Sequence, residues 1–152
     1  MISEVTAEIE SAAAEAGVAA LVVRLQPPDS TGVYRDVCNH FVAGGDRAWW
    51  WEAFLHPHEK SVLRSAQAFE VIGQLVPNPH EPIWFIAEDD QLPHFPVYDT
   101  TTDAIARTLR HSYAFEYYLI AKDLSWLICV NHHGVLFGVG DPVRSRVRSL
   151  DV

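Results

Sequence analysis

Apolar positions follow two rhythms along this chain, and the change from one to the other divides it. In the first half they recur mainly at three and four residues. Ile2, Val5, Ile9, Ala12 and Ala16 do so with Glu4, Glu8 and Glu15 between them, which predicts an amphipathic helix capped by Ser3 and stopped by Gly17. The apolar run at 18–25, closed by Pro27-Pro28, is too short for periodicity to separate strand from buried helix. Tyr34, Val37, Cys38 and Phe41 lie at i, i+3, i+4 and i+7, so 33–42 is expected as a helix started by Ser30 or Thr31 and ended at Gly44-Gly45, with a strand as the alternative. Asp46 is expected to cap another short helix carrying Trp49, Trp50, Trp51 and Phe54. Successive side chains on a helix stand about 100° apart, so the three indoles cannot share a face and at least one belongs at the edge of the core. Ala66, Phe69, Ile72 or Gly73, and Val76 predict a further helix ending before Pro77.

Beyond the turn-rich 77–82 connector the rhythm shortens. Residues 83–88 and 95–99 are expected as strands around an acidic loop. A last helix follows, capped by Thr101 or Thr102 and carrying Ile105, Leu109 and Tyr113. The firmest stretch is 115–140, dense in aromatic and aliphatic residues and cut twice by breakers, at Lys122, Asp123 and Ser125 and again at 131–134. It predicts three antiparallel strands, 116–121, 126–130 and 135–139. Gly134 suits a left-handed position in the second turn, and the Asn131 side chain can accept a backbone N–H there. Arg144, Arg146 and Arg148 alternate strictly, which suits an edge strand or a solvated end. Together these elements give an α+β class: one domain over 1–152, with an antiparallel sheet of about five strands ending in the three-stranded meander, and helices mainly on one face.

Composition narrows the function classes. With 49% hydrophobic and 20% charged residues the chain matches an average folded domain rather than a disordered one. No stretch reaches the roughly 18 uninterrupted apolar residues of a membrane span, and the acidic N-terminal stretch does not resemble a secretory signal, so a cytoplasmic setting is expected. Cys38 and Cys129 are then expected as free, buried thiols. A net charge of −9 argues against nucleic acid, whose phosphates need Lys and Arg, and favours a basic protein partner. The 42 residues between Arg64 and Arg107 hold seven acids, among them Glu88, Asp89 and Asp90, and no Lys or Arg.

Candidate chemistry is scattered. His56-Pro57-His58, Cys38-Asn39-His40 and Cys129-Val130-Asn131-His132-His133 lack a recognised ligand spacing, so neither a metal nor another cofactor is expected. Cys129 lies inside an apolar strand, where a thiol is usually inert. Phosphate-loop, dinucleotide and nucleophile-elbow motifs are missing. Glu116, a lone acid opening a strand, reads as a surface or turn-binding carboxylate. No catalytic residue is assigned.

Trp50-Trp51-Glu52 with Phe54, Trp84-Phe85-Ile86 with Glu88, Phe115-Glu116-Tyr117-Tyr118, and Trp126-Leu127-Ile128-Cys129 leading to Asn131-His132-His133 resemble an uncharacterised family of small bacterial proteins. In that family an acidic residue often follows the His pair, where this chain has Gly134. The resemblance implies a bacterial, cytoplasmic α+β domain and no transferable activity. A looser architectural similarity is to SUKH-type immunity domains, which bind toxins. The sequence therefore favours a non-catalytic protein-binding module, immunity-like in type. Glu88, Asp89, Asp90, Trp49, Trp50 and Trp51 are its candidate partner-binding residues. The alternative is a small-molecule or metal-dependent enzyme centred on the Asn131-His132-His133 turn.

Overall fold

A computed structural model describes residues 2–45, 49–63 and 67–150. The elements, in chain order, are α1 (Glu4–Glu15), β1 (Val23–Arg24), α2 (Asp29–Phe41), β2 (His58–Val62), α3 (Ala68–Leu75), β3 (Pro82–Ala87), β4 (Val97–Thr101), α4 (Thr102–Leu109), β5 (Tyr117–Ala121), β6 (Leu127–Val130), β7 (Val135–Val139) and α5 (Val143–Arg148). Short 3-10 turns occupy Ala19–Leu21 and Trp50–Glu52. Every strand pairing is antiparallel, in the order β1-β4-β3-β5-β6-β7-β2. The α+β class and the meander stand as expected. The sheet has seven strands among the described residues instead of about five.

The two additional strands sit at its edges. β1 contributes two residues, and β2, with the sequence His-Glu-Lys-Ser-Val, lacks the apolar alternation that announces a strand. β2 forms because β7 offers an unpaired edge: five consecutive pairs run from His58↔Val139 to Val62↔Val135. The expected edge strand at Arg144, Arg146 and Arg148 is instead the helix α5. Val143 and Val147, four residues apart, are buried against β7; the arginines flank or oppose that stripe, and Arg146 Nη1 donates to the Val76 carbonyl at 2.7 Å.

Alternation along the central strands builds two cores. Tyr117, Leu119 and Ala121 of β5 face the larger one, which α1, α3, α4 and α5 cover. Tyr118 and Ile120 face the smaller one, covered by α2 and Trp50, which also buries Cys38 and Cys129, neither of them in a disulfide. The helices thus lie mainly on one face. Among the described residues, no helix is long and apolar enough to cross a membrane.

The helix expected around Trp49, Trp50, Trp51 and Phe54 shrinks to one 3-10 turn; its expected cap, Asp46, lies outside the described residues, as does Ala66 of the helix that became α3. Long-range backbone bonding overrides the helical spacing. The Ala43 N–H donates to the Ala53 carbonyl (2.7 Å), the Leu55 N–H donates to the Phe41 carbonyl (2.8 Å), and Val42 bridges Phe54. Backbone groups committed across a closed loop are withdrawn from the i to i−4 ladder a helix requires.

Candidate functional site

The site lies where β3 ends and β5 begins. The β3–β5 register pairs Ala87 with Tyr117, and one residue beyond it the Glu88 N–H donates to the Glu116 carbonyl at 2.9 Å. Two glutamates from distant parts of the sequence are thereby fixed side by side. Glu116 shares its face of β5 with Tyr118 and Ile120, so its carboxylate points into the smaller core and its side chain is only 1% exposed.

A buried carboxylate demands donors. Trp51 Nε1–H and His132 Nδ1–H each donate to Glu116 Oε1 at 3.0 Å, the His132 backbone N–H approaches the same oxygen at 3.4 Å, and the Tyr118 hydroxyl donates to Oε2 at 2.7 Å. Burial pushes the Glu88 carboxyl up to about 8, helped by a hydrogen bond to Glu116 and by the charges of Glu116 and Asp90. At neutral pH Glu88 therefore keeps its proton. Burial likewise pushes the Tyr118 hydroxyl and the Cys129 thiol up, so Tyr118 serves as a donor and Cys129 stays an inert thiol.

His132 comes from the β6–β7 turn. Asn131 Oδ1 accepts the backbone N–H groups of His133 and Val135, both at 3.0 Å, and Gly134 sits at φ +75°, as the turn chemistry predicts. The two imidazoles lie 4.0 Å apart, centroid to centroid, with Trp51 edge-on to both. Ligand atoms of Glu88, Glu116 and His132 all lie within 4.8 Å of one another, so the histidine turn that sequence spacing left without partners acquires two carboxylates.

The residues singled out for partner binding separate. Trp50 is 0% exposed, packed on Phe95 and Tyr118 in the smaller core. Trp51 is half-buried and committed to Glu116. Trp49 is 47% exposed, and its backbone is left-handed at φ +56°. Asp89 is 3% exposed: it accepts a hydrogen bond from Ser3 Oγ, whose residue caps α1, and another from the Gln91 N–H at 2.9 Å. Only Asp90 of the acidic triplet stands exposed. Trp49, Asp90, Glu88, Glu116 and His132 nonetheless line one open cleft of about 340 Å³. A larger cavity of about 500 Å³ of mixed lining, with Phe69, Leu109, Tyr117 and Val130 beside Gln67, Ser112 and Asn131, shares Phe115 and His132 with it.

Of the two expectations for Glu116, a surface or a turn-binding carboxylate, the second holds: it is buried, and it accepts from His132 of the β6–β7 turn. The signal was its spacing, two residues before Tyr118 on the inward face of a strand, where an acid needs partners. Those partners come from β3, the Trp50–Glu52 turn and the β6–β7 turn, and no local pattern joins them.

Residues 2–151 match a protein-family model, and the chain belongs to that family, a family of unknown function (DUF6756). No curated protein and no solved structure matches the chain.

Proposed function

We propose that this member of a family of unknown function binds a small molecule, and that its working centre is the cleft at Glu88, Glu116 and His132, beside the Asn131-His132-His133 turn. What carries the reading is the convergence, at one end of the sheet, of a carboxylate sealed from water with a second carboxyl and an imidazole in an open cleft. Concave sites where a few polar groups converge among aromatic and aliphatic side chains are the usual form of small-ligand sites. Proton transfer is the chemistry the trio suits. Glu88 holds a proton at neutral pH that it can give to a bound ligand, becoming a carboxylate, and His132, bonded to Glu116, stands at the cleft mouth to orient it.

The test is a fragment screen read by NMR. Binders are expected to shift the Trp51 indole N–H and the 132–134 amides, and His132→Ala should weaken them by about tenfold, worth about 1.4 kcal/mol. Fragments that perturb only residues away from the cleft, or that ignore His132→Ala, would overturn the assignment.

A second reading, a non-catalytic module for a basic protein and immunity-like in type, is favoured by exposed Trp49 beside Asp90 at the cleft mouth. It has less charge to draw on than the sequence offered, because Glu88 is protonated and Asp89 is buried. Under it, Asp90→Asn slows association with a cationic partner and flattens its salt dependence; an on-rate indifferent to both sinks it. Both readings include a cytoplasmic setting, for which the burial of two cysteines outside any disulfide is the support.

A further inference from the structure

We infer that Glu88, Glu116 and His132 together bind one divalent transition-metal ion, of the zinc class, with open coordination positions facing the cleft. This rests on the cleft being the working centre and names a ligand for it. It also reverses the expectation, drawn from scattered histidines, that the chain binds no metal.

The donor set is mixed, with one imidazole nitrogen, the Glu116 carboxylate and the Glu88 carboxyl; zinc takes such nitrogen and oxygen ligands at about 2.0–2.2 Å, and its binding releases the Glu88 proton and leaves the imidazole proton on Nε2. Tetrahedral donors at that range stand about 3.4 Å apart. His132 Nδ1 and Glu116 Oε1 are already 3.0 Å apart, and all three ligand atoms lie within 4.8 Å. Side-chain rotation at Glu88 and His132, both on the open side, closes the remainder.

Glu116 sets this trio apart from a solvated acidic patch. Its side chain is 1% exposed, yet it faces a second carboxyl across the cleft, an arrangement that favours a cation between them. Trp51 and Tyr118 hold one donor bond on each of its oxygens, fixing the carboxylate as outer partners of metal ligands do. A carboxylate offers about four lone-pair sites. Oε2 accepts from Tyr118, and lone-pair capacity beyond that bond is what the ion would use. Three protein ligands leave room for water or a bound ligand, the form of a reactive site instead of a closed structural one. Entry is from solvent, past Trp49 and Asp90.

The test uses the full chain, stripped with chelator and titrated with zinc chloride alone by calorimetry, beside Glu88→Gln, His132→Ala and a His40→Ala/His56→Ala control. His40 and His56, with rings 5.0 Å apart, form the other histidine pair near which zinc could lodge. One zinc per chain is expected, weakened about tenfold or more by Glu88→Gln and by His132→Ala and unchanged in the control. His132 is part-exposed in a turn, so its removal should leave the fold intact, which circular dichroism checks. Loss of zinc only in the control, or equal affinity in His132→Ala and the parent, overturns the inference. If zinc fails while fragments still shift the Trp51 indole of the metal-free chain, the ion is wrong and the cleft stands. If both fail, both fall.

Discussion

Replacing Asp89 with Ala removes the acceptor for Ser3 Oγ and for the Gln91 N–H, and so loosens the start of α1. Leaving buried donors unmet costs about 1–3 kcal/mol, to be read from urea denaturation, whereas Asp90→Asn on the exposed side should stay within about 0.5 kcal/mol. Charge in the loop is therefore not interchangeable: a double Asp89/Asp90 substitution would mix a folding effect with any binding effect. Trp49 offers the opposite case. A bulky residue at φ +56° is strained, and glycine adopts that backbone freely. Trp49→Gly should leave the melting temperature unchanged or raised, although a large aromatic ring is lost. A clear drop would mean that the exposed indole contributes packing that its exposure hides.

Among the elements, α5 and β7 meet through a glycine. A Cβ at Gly138 would lie 2.6 Å from Val147 Cγ2 and 3.0 Å from Val143 Cγ1, so β7 needs a residue without a side chain for α5 to pack. Gly138→Ala should destabilise by about 1–3 kcal/mol through overpacking. Adding Val147→Ala should recover part of that loss, so that the double variant is less destabilised than the sum of the singles. Strict additivity would show that the helix does not dock as described. At the β6–β7 turn, Gly134 has open space around a would-be Cβ but a φ of +75°. Gly134→Ala should therefore cost more than about 1 kcal/mol by backbone strain alone, measured by chemical denaturation.

At the scale of the whole molecule, the Glu88 proton ties stability to pH. The folded chain holds this carboxyl up to about 8 against an ordinary 4.5, so folding retains a proton that the unfolded chain releases. The stability is whole below about 4.5 and is lost progressively as pH rises toward and through about 8. Glu88→Gln, neutral at every pH, should flatten the fall in melting temperature across that window, measured with chelator present. Equal slopes in parent and variant would show that Glu88 does not keep its proton in the fold.

Local chemistry was enough for much of this molecule. The Ser3 cap with the spacing of α1, the Thr101 cap of α4, the meander of β5, β6 and β7, and the left-handed Gly134 with its Asn131 turn all depend on neighbours within a few residues, and that range is what sequence periodicity and turn chemistry record. Tertiary structure decided the rest. β2 is a strand because the edge of β7 is available to it, the tryptophan segment is an irregular loop because residues 41–43 bond to 53–55, and α5 is a helix because two valines find β7. The candidate site belongs wholly to this second kind. Glu88 follows β3, Glu116 precedes β5 and His132 sits in the β6–β7 turn, and strand register together with the burial of one carboxylate makes them neighbours, an outcome of long-range pairing that no residue's local sequence encodes.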